Sequence, residues 1–351
     1  MPSETRQWIL NNKPSGMPVL DNSENATFKL TTAPLPAPSA TEVVLKSLWL
    51  SNDPAQRTWI SANVDAERMY LPPIPEGAAM GANALSEVIE SGNPELMPVG
   101  TIVFATTNWC EYSVREIAQC QVITPLPGLS LGHFLGAFGF TGLTAYYGIT
   151  EVAKATAEDT VVVSGAAGAT GSMVVQIAKK IIGCKRVIGI AGTDDKCRWV
   201  EKIGADVCIN YRSPTFEQDL VKATEGFVEV YYDNVGGNIL DLMFKRMARH
   251  GRIAVCGTIS NYNNLDNPIG LKNFFEVVSN RIHIHGFIVL DYIHKAAEVM
   301  GTLVQAWQEG KLVVDDSMET VVETKFEDIP QTWMKLFDGS NTGKLATKLI
   351  N

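Results

Sequence analysis

The sequence has no long uninterrupted apolar run. Its most apolar stretches, 160–164 and 172–177, are far shorter than the roughly 20 residues that span a bilayer. The polar N-terminal residues 1–7 are not followed by an apolar signal core. We therefore expect an intracellular, cytoplasmic protein that has no membrane partner.

Cysteine is sparse and scattered. The six cysteines among 351 residues include no CxxC pair, so we expect neither a disulfide framework nor a cysteine-based zinc site. His283 and His285 alternate along a segment with strand character, which favours ordinary positions on a strand face over metal ligation. His133 and His294 have no partner visible in the sequence, which is typical of surface or internally satisfied histidines.

Basic residues are outnumbered. The sequence has 29 Lys and Arg residues and 38 Asp and Glu residues, which gives a formal net charge of −9. Nucleic acid and anionic membranes would be repelled overall, which excludes them as expected partners but leaves room for a local phosphate pocket. The length of 351 residues predicts two domains.

The pattern of apolar and polar residues changes at about residue 136. Residues 1–135 and 312–351 have β-rich and irregular patterns, whereas short apolar runs and helical periods alternate through 136–311. This alternation predicts right-handed βαβ crossovers, and hence a doubly wound parallel sheet inserted into a β-rich domain. The predicted strands of the inserted domain are 160–164, 186–191, 207–210, 228–232, 252–256 and 282–290, and its helices are 172–182, 194–203, 216–224 and 238–247.

A glycine-rich turn, Ser-Gly-Ala-Ala-Gly-Ala-Thr-Gly at 164–171, follows the first of these strands and precedes a helix. Such a turn is weak evidence alone, but this strand–turn–helix context is that of a dinucleotide site. Gly165 permits the tight turn, Gly168 lets the backbone approach a pyrophosphate, and Gly171 allows close packing of helix on strand.

The end of the next strand indicates which dinucleotide binds. NAD sites usually place Asp or Glu there to hold the ribose hydroxyls. This chain has Gly192 and Thr193, and Lys196 follows in the first helical turn. Asp194 and Asp195 are placed as helix N-terminal acids, although they are also the candidates for an NAD acid. A missing acid beside a cation favours the 2′-phosphate of NADPH, while Lys196 could equally be a solvated surface lysine.

Several further motifs point to one family. They are Gly-Phe-Thr-Gly-Leu-Thr-Ala-Tyr at 139–146, Asp-Asn-Val-Gly-Gly at 233–237, Cys-Gly-Thr-Ile-Ser-Asn-Tyr-Asn at 256–263, Gly-Phe-Ile-Val at 286–289 and Asn-Thr-Gly-Lys at 341–344. With Leu-Ser-Asn-Asp-Pro at 50–54 they extend over essentially the whole chain. The chain resembles the zinc-independent medium-chain dehydrogenases/reductases, specifically the group of prostaglandin reductases and plant alkenal double-bond reductases.

The resemblance implies a Rossmann domain inserted into a GroES-like catalytic domain, a homodimer, and NADPH-dependent reduction of the double bond of an enone or enal. It implies that four turn residues contact the pyrophosphate and that Lys196 and Tyr211 contact the 2′-phosphate. The turn residues are Gly168, Ala169, Thr170 and Gly171. The residues implied around the rest of the cofactor are Asn234, Cys256, Gly257, Ile259, Ser260, Tyr262, Phe287, Ile288, Val289 and Asn341.

Two positions depart from the family pattern. The family commonly has Pro at the position of Thr141, and an aromatic residue and Met where this chain has Ala55 and Gln56. The resemblance places both positions near the mouth of the active site, so they bear on the substrate rather than the cofactor.

The zinc-dependent relatives need a Cys, a His and often a Gly-His-Glu stretch. The corresponding residues 75–83 contain no histidine, and the closely spaced cysteines of a structural zinc lobe are missing. We therefore predict an enzyme without metal.

Conjugate reduction adds hydride to the β-carbon, and negative charge develops on the carbonyl oxygen as an enolate. Such a site needs a donor aimed at that oxygen and a proton source for the α-carbon. Tyr262, in the loop after the 252–256 strand, is the predicted catalytic residue. The alternatives are that its ring only packs in the loop and that the cofactor ribose hydroxyl is the donor. Tyr70, Tyr112 and Tyr146 are predicted as packing residues.

Two rival functions share the cofactor turn. A quinone oxidoreductase of the same superfamily would lack the full Cys-Gly-x-Ile-Ser-x-Tyr-Asn pattern that this chain has at 256–263. A non-catalytic NADPH-binding protein is the second rival, since a fold does not fix a function. A Rossmann-like methyltransferase would leave Lys196 and the segment at Asn341 unexplained.

Overall fold

The computed structural model describes residues 2–21, 23–264 and 267–350. The chain divides into two compact units. The terminal unit consists of Met1–Leu135 and Glu319–Asn351, and the central unit of Gly136–Met318. Within the described residues, no helix is long and apolar enough to cross a membrane.

Strands and helices are numbered in chain order. The strands are β1 Glu4–Leu10, β2 Phe28–Pro34, β3 Glu42–Ser51, β4 Gly81–Ser91, β5 Ile102–Asn108, β6 Tyr112–Glu116, β7 Gln121–Val122, β8 Thr160–Val163, β9 Arg186–Ala191, β10 Val207–Asn210, β11 Val228–Asp233, β12 Met247–Val255, β13 His283–Gly286, β14 Glu319–Lys325 and β15 Lys344–Ile350. The α-helices are α1 Gln56–Trp59, α2 Phe140–Tyr147, α3 Ala169–Gln176, α4 Asp194–Ile203, α5 Phe216–Ala223, α6 Gly237–Phe244, α7 Phe275–Asn280, α8 Ala296–Gln308 and α9 Ile329–Asp338.

The sequence predicts a second domain boundary at 311/312, whereas the central unit continues to Met318. Gln176, fully buried at the end of α3, explains the difference. Its amide donates to the Val313 carbonyl at 3.1 Å and accepts from the Val313 N–H at 2.7 Å. The same amide nitrogen lies 3.7 Å from the Met318 sulfur. These contacts hold the segment after α8 against the central unit.

The central unit contains a six-stranded parallel sheet with the order β10-β9-β8-β11-β12-β13. Chain order runs one way from β8 to β10 and the other way from β11 to β13, which is the doubly wound Rossmann arrangement. The sequence prediction of this fold class is confirmed. Val161, Val162 and Val163 of β8 are fully buried, because a central parallel strand is covered on both faces.

The last strand of this sheet is shorter than predicted. The sequence predicts a strand over 282–290, but β13 ends at Gly286 and 3₁₀ turns follow over Val289–Lys295. The neighbouring strand β12 ends at Val255, which pairs with Gly286. Residues beyond Gly286 therefore have no strand to pair with, despite their apolar character.

The terminal unit is β-rich, as predicted. Its larger sheet has the order β14-β15-β3-β4-β5-β7, with β6 paired to β3, and β1 and β2 form a separate hairpin. The rings of Phe28, Trp109 and Trp333 meet at the centre of its core, with centroids 5.0–5.9 Å apart.

Helix α9 in this unit is absent from the sequence prediction, which treats the segment after 312 as strand and loop. Pro330 lies in its first turn, where a proline fits a helix. Ile329, Trp333 and Leu336 follow at helical spacing and are buried. The signal for this helix was therefore present in the sequence.

Candidate active site

Most of the predicted site residues follow the carboxyl ends of the parallel strands. Crevices at this edge of a doubly wound sheet bind ligands where the strand order reverses, here between β8 and β11. The glycine turn follows β8, Lys196 follows β9, Tyr211 follows β10 and Asn234 follows β11. The remaining predicted residues of the central unit follow β12 and β13: Cys256, Gly257, Ile259, Ser260, Tyr262, Phe287, Ile288 and Val289.

Two positions of the glycine turn have no room for a side chain or have backbone angles that favour glycine. Gly165 has φ +58°, which favours glycine, and its carbonyl accepts from the Gly168 N–H at 2.9 Å. A Cβ on Gly171 would lie 2.2 Å from the Gly165 oxygen, so only glycine allows this contact of helix with turn. Helix α3 begins at Ala169 and includes Thr170, so its first N–H groups belong to these predicted residues.

The tip of β9 is built around Thr193 and Gly192. The Thr193 hydroxyl caps α4 by accepting from the Lys196 N–H at 3.2 Å, and the Lys196 side chain is half-buried. A Cβ on Gly192 would lie 3.1–3.3 Å from the Tyr211 ring, so the ring lies on the glycine. The Arg212 guanidinium lies 5.7 Å from the Tyr211 ring centroid. Sequence reasoning missed Arg212, although it directly follows the predicted Tyr211.

The two acids at this tip are engaged in local contacts. Asp194 accepts from the Asn210 side-chain amide at 2.8 Å, and Asp195 pairs with Arg198 one turn along α4. Both acids are exposed in the first turn of the helix, where they complement its dipole.

Asn234 connects the glycine turn to β11 at the point where strand order reverses. Its side-chain amide donates to the Ser164 carbonyl at 2.7 Å, and its backbone N–H donates to the Ser164 hydroxyl at 2.9 Å. That hydroxyl in turn donates to Asp233 Oδ1 at 3.0 Å. Sequence analysis did not include Ser164 or Asp233 among the site residues.

Asp233 is fully buried beneath this contact. Its Oδ1 accepts from Ser164, the Tyr231 hydroxyl at 2.7 Å and the N–H groups of Val235 and Gly236. Burial raises the pKa of the carboxyl, and the hydrogen bonds to the carboxylate partly oppose that rise. The carboxylate thus organises the start of the 234–237 loop.

The loop that follows β12 lies against the 234–237 loop. The Ile259 N–H donates to the Asn234 carbonyl at 3.4 Å, and the Ser260 hydroxyl donates to the Val235 carbonyl at 2.6 Å. Gly236 and Gly237 have φ of +68° and +56°, and a Cβ on either would lie within 2.7 Å of Thr258 or Ser260. The paired glycines of this motif are required both by conformation and by space.

Tyr262 ends that loop, in the position that the sequence predicts for the catalytic hydroxyl. The Thr258 N–H donates to the hydroxyl with an N-to-O distance of 3.4 Å. A Cβ on Gly257 would lie 2.9 Å from the same oxygen. The hydroxyl is therefore directed back over its own loop, toward the end of β12, and the side chain is half-buried.

Cys256 lies between β12 and this loop. Burial raises the pKa of its thiol to about 11, so the thiol is protonated at neutral pH and is a poor nucleophile. Its backbone N–H donates to the Asp233 carbonyl at 2.8 Å. These features favour a packing and backbone role for Cys256.

Phe287 begins the segment after β13. The centroid of its ring lies 6.2 Å from that of Tyr232, which is fully buried. The Tyr232 hydroxyl donates a hydrogen bond to the Thr144 carbonyl at 3.0 Å. A Cβ on Gly148 would lie 2.5 Å from both rings. Ile288 and Val289 follow and are half-buried.

Known proteins match this chain along nearly its whole length. Residues 6–123 match a family described as the N-terminal domain of oxidoreductase, and residues 169–305 match one described as zinc-binding dehydrogenase. Prostaglandin reductase 1 of Oryctolagus cuniculus is 35% identical over 349 residues, with 98% of this chain and 93% of that protein covered. The 2-alkenal reductase (NADP(+)-dependent) of Nicotiana tabacum is 35% identical over 347 residues, covering 97% and 96%.

The chain belongs to the medium-chain dehydrogenase/reductase superfamily. Its place is in the zinc-independent group that includes prostaglandin and 2-alkenal reductases, as the sequence motifs predict. The crystal structure of CurA in complex with NADPH from Vibrio vulnificus matches this medium-chain reductase with a TM-score of 0.87. The two are 32% identical, and 99% of each chain is covered.

Asn341, the remaining predicted cofactor residue of this medium-chain reductase, belongs to the terminal unit. Its side-chain amide donates to the Gly343 carbonyl at 3.0 Å, which fixes the turn before β15. Lys344 follows, almost fully buried, and its ammonium lies 2.6 Å from Asp53 Oδ1 and 3.0 Å from the Asn52 carbonyl. The first and last family motifs of the chain therefore meet within one unit.

The two departures from the family pattern lie in different units, Ala55 and Gln56 in the terminal unit and Thr141 in the central unit. Gln56 is fully buried, accepting from the Asp53 N–H at 2.9 Å and donating to the Gly81 carbonyl at 2.8 Å. Ala55 directly precedes α1. Thr141 lies in the first turn of α2 and is 8% exposed. Gln56 thus closes the loop after β3.

The histidines differ in their surroundings. His133 is buried with its Nδ1 atom 3.1 Å from a Glu319 carboxylate oxygen, so it has a partner that the sequence did not reveal. His294 is exposed, and His283 and His285 lie on β13 as predicted. In the described part of the chain, no group of three or more His, Cys, Asp or Glu side chains is arranged to hold a metal ion.

Proposed function

We propose that this chain reduces the carbon–carbon double bond of α,β-unsaturated ketones or aldehydes with NADPH, without a metal. The observation that carries the proposal is the position of the Tyr262 loop. It lies directly against the 234–237 loop, which in turn is bonded to the glycine turn through Ser164. The Tyr262 hydroxyl, which is suited to enolate stabilisation, therefore lies in a loop that is hydrogen-bonded through the 234–237 loop to the glycine turn predicted to hold the cofactor.

The cofactor is NADPH. This prediction is confirmed by relatives named for NADP and by CurA, whose structure is in complex with NADPH. The residues of this chain fit the group, because the glycine turn leads directly into the first N–H groups of α3 and both acids at the β9 tip are held in other contacts. When bound, NADPH supplies the hydride that adds to the β-carbon.

The chain's own residues have separate tasks in this scheme. The first N–H groups of α3, from Ala169 to Gly171, bind the pyrophosphate with the positive end of the helix dipole. Lys196 and Tyr211 hold the 2′-phosphate, and Arg212 beside the Tyr211 ring adds a second cation. The 256–262 loop and residues 287–289 enclose the rest of the cofactor.

Tyr262 has the catalytic task. Its hydroxyl donates to the carbonyl oxygen as negative charge develops there, and a proton then reaches the α-carbon. The hydrogen bond from the Thr258 N–H and the close approach to Gly257 orient the hydroxyl before the substrate binds. Preorganised donors of this kind stabilise an oxyanion without the cost of reorganisation.

The partner is a small-molecule enone or enal. Names of relatives support this class, since they include 2-alkenal reductase and prostaglandin reductase, and the curcumin reductase of Escherichia coli (strain K12) is 31% identical. The homodimer and the cytoplasmic location stay predictions from the sequence.

The test is an NADPH-consumption screen over enones and enals of graded size, with quinones and saturated ketones as parallel panels. We expect turnover of enones and enals, with the saturated ketones or aldehydes as the only products and no allylic alcohol. Faster turnover of quinones than of every enone would instead support the quinone oxidoreductase. Tight NADPH binding without turnover on any panel would support the non-catalytic rival.

A further inference from the structure

Two free thiols meet beside the predicted 2′-phosphate residues, and the reductase scheme uses neither of them. Cys197 lies in α4, directly after Lys196. Cys208 lies in β10, the strand that leads to Tyr211 and forms one edge of the central sheet. The two side chains are hydrogen-bonded to each other, and the Cys208 thiol is the donor. The thiols therefore connect a helix and a strand that each lead to a predicted cofactor residue.

The contact is formed by the face of α4 that packs on the sheet. Cys208 pairs in register with Gly189 of β9, so these two positions share one face of the sheet. A Cβ on Gly189 would lie 3.0 Å from the Cys208 sulfur and 2.7 Å from Cγ1 of Val200, one turn after Cys197. The Glu201 carboxylate, also one turn after Cys197, accepts from the Cys208 N–H at 2.9 Å. Because Gly189 has no side chain, there is room for the Cys208 sulfur beneath α4.

The two sulfurs are suited to different steps of an oxidation. The hydrogen bond from Cys208 lowers the pKa of the Cys197 thiol, although burial and the nearby Asp194 and Glu201 carboxylates oppose this effect. Donating that hydrogen bond, together with burial, raises the pKa of the Cys208 thiol. A thiolate is the reactive nucleophile, and a neighbouring thiol can resolve the product that it forms. Cys197 has the first role and Cys208, which is half-buried, has the second.

We propose that Cys197 and Cys208 form a reversible disulfide on reaction with hydrogen peroxide, and that this cross-link weakens NADPH binding. The Cys197 sulfur attacks one peroxide oxygen and the O–O bond breaks, which gives Cys197 sulfenic acid and one water. The Cys208 sulfur then attacks the Cys197 sulfur, the S–O bond breaks, and a second water leaves as the S–S bond forms. The thiols lose two electrons and two protons, and the peroxide is reduced to water. Exchange with a dithiol reductant reverses the reaction.

The cross-link acts on the two elements that position the predicted 2′-phosphate residues. A covalent bond draws two sulfurs closer together than a hydrogen bond does, so α4 must shift toward β10. The start of α4 is held by the Thr193 hydroxyl, which accepts from the Lys196 N–H at 3.2 Å, whereas the Tyr211 ring lies on Gly192. A shift of α4 therefore moves Lys196 relative to Tyr211, and a charge-assisted bond to phosphate loses its geometry. This effect rests on the proposed role of Lys196, whereas formation of the disulfide does not.

The test treats the full-length protein with hydrogen peroxide, removes the peroxide and then measures two quantities. Mass spectrometry should show the loss of two hydrogen atoms and a cross-link between the peptides that contain Cys197 and Cys208. Fluorescence titration with NADPH should give a Kd raised about tenfold or more, and dithiothreitol should restore both the mass and the Kd. Neither readout depends on enone turnover. Lys196→Ala in untreated protein tests the cofactor assignment separately.

Substitutions distinguish the disulfide from other oxidation. Cys197→Ala and Cys208→Ala should each abolish the cross-link, so either variant tests it if the other does not fold. Cys197→Ala should also keep the NADPH affinity of untreated wild type after exposure to peroxide. Cys120→Ala, which removes a partly exposed thiol of the terminal unit, is the matched control and should still form the cross-link. Absence of the cross-linked peptides in wild type, or a cross-link that leaves the Kd for NADPH unchanged, would overturn the proposal.

Discussion

At Tyr262, a single hydroxyl is held by backbone of its own loop. Thr258 donates to it and Gly257 leaves room for it, so its position depends on residues within five positions of it. The sequence could predict that this loop follows a strand at the ligand-binding edge. It could not predict the Thr258 contact, because hydrogen bonds within a loop depend on backbone angles that residue types leave open.

Replacing Tyr262 with Phe removes the hydroxyl and keeps the ring. We expect kcat to fall by about a hundredfold, the usual effect of deleting an oxyanion donor, while the dissociation constant of NADPH changes little. Steady-state kinetics with the best enone measures the first, and fluorescence titration of NADPH the second. Tyr112→Phe, in β6 of the terminal unit, is the control. A Tyr262→Phe enzyme with nearly full kcat would assign the donor role to the cofactor ribose hydroxyl.

Lys196 is expected to decide between NADPH and NADH. Its backbone is fixed by the Thr193 cap, which places the side chain in the first turn of α4. Lys196→Ala should raise KM for NADPH about tenfold or more, because a charge-assisted bond to phosphate is lost, and should leave KM for NADH unchanged. Lys202→Ala, at the other end of α4, is the matched control. The same cofactor preference before and after the Lys196 change would contradict the assignment.

Residue-scale prediction from the sequence was strongest where one residue type has one physical use. Asp194 and Asp195 were predicted as helix N-terminal acids, and both lie in the first turn of α4, whereas the capping role of Thr193 was not predicted. Gln56 was not, since nothing in the sequence shows that its amide would meet the Gly81 carbonyl 25 positions away. Such long-range polar contacts are set by tertiary packing.

Among the elements, the unit of strand β8, glycine turn and helix α3 was the most predictable. A buried β-branched run, a glycine turn and a helical period each have their own pattern, and the structure has all three in order. The end of β13 was less predictable, because it depends on where its neighbour β12 stops. The length of a strand therefore depends on the strand with which it pairs.

The Gly171 contact gives this element a test. Gly171→Ala would push a Cβ to 2.2 Å from the Gly165 oxygen, so the turn and α3 must separate. We expect a loss of about 1–3 kcal/mol of stability and much weaker NADPH binding. Gly301→Ala, inside α8 with nothing within 4 Å of the new Cβ, should instead stabilise by about 0.5–1 kcal/mol. Thermal melts and NADPH titration measure both, and a Gly171→Ala protein that matches wild type would refute this role for the glycine.

At the scale of the whole molecule, the first and last segments of the chain form one compact unit and the segment between them forms the other. The two end segments are joined by contacts between sequence-distant residues, such as the Asp53–Lys344 ion pair, whose partners lie 291 positions apart. The sequence predicted that both ends of the chain belong to a β-rich domain, from composition and strand patterns. It could not predict this pair, because the register of β15 against β3 determines it.

Lys344→Met tests how strongly the two ends depend on that contact. Lys344 is 3% exposed and Asp53 is 26% exposed, so removing the ammonium leaves a partly buried carboxylate without its cation. We expect a loss of about 2 kcal/mol, measured as a lower Tm. Lys348→Met, in the same strand, breaks the exposed pair with Glu323 and the contact of the ammonium with the Trp49 ring at 5.9 Å, and should cost about 1 kcal/mol or less. Equal losses in the two variants would show that burial of the pair is not what matters.

The central claim is hydride transfer from NADPH to the β-carbon of an enone. It is tested most directly with NADPH that carries deuterium at the transferable position of the nicotinamide, by locating the label in the product by NMR. We predict a saturated ketone or aldehyde with deuterium on the β-carbon and solvent hydrogen on the α-carbon. Deuterium on the former carbonyl carbon, with the double bond intact, would contradict the account.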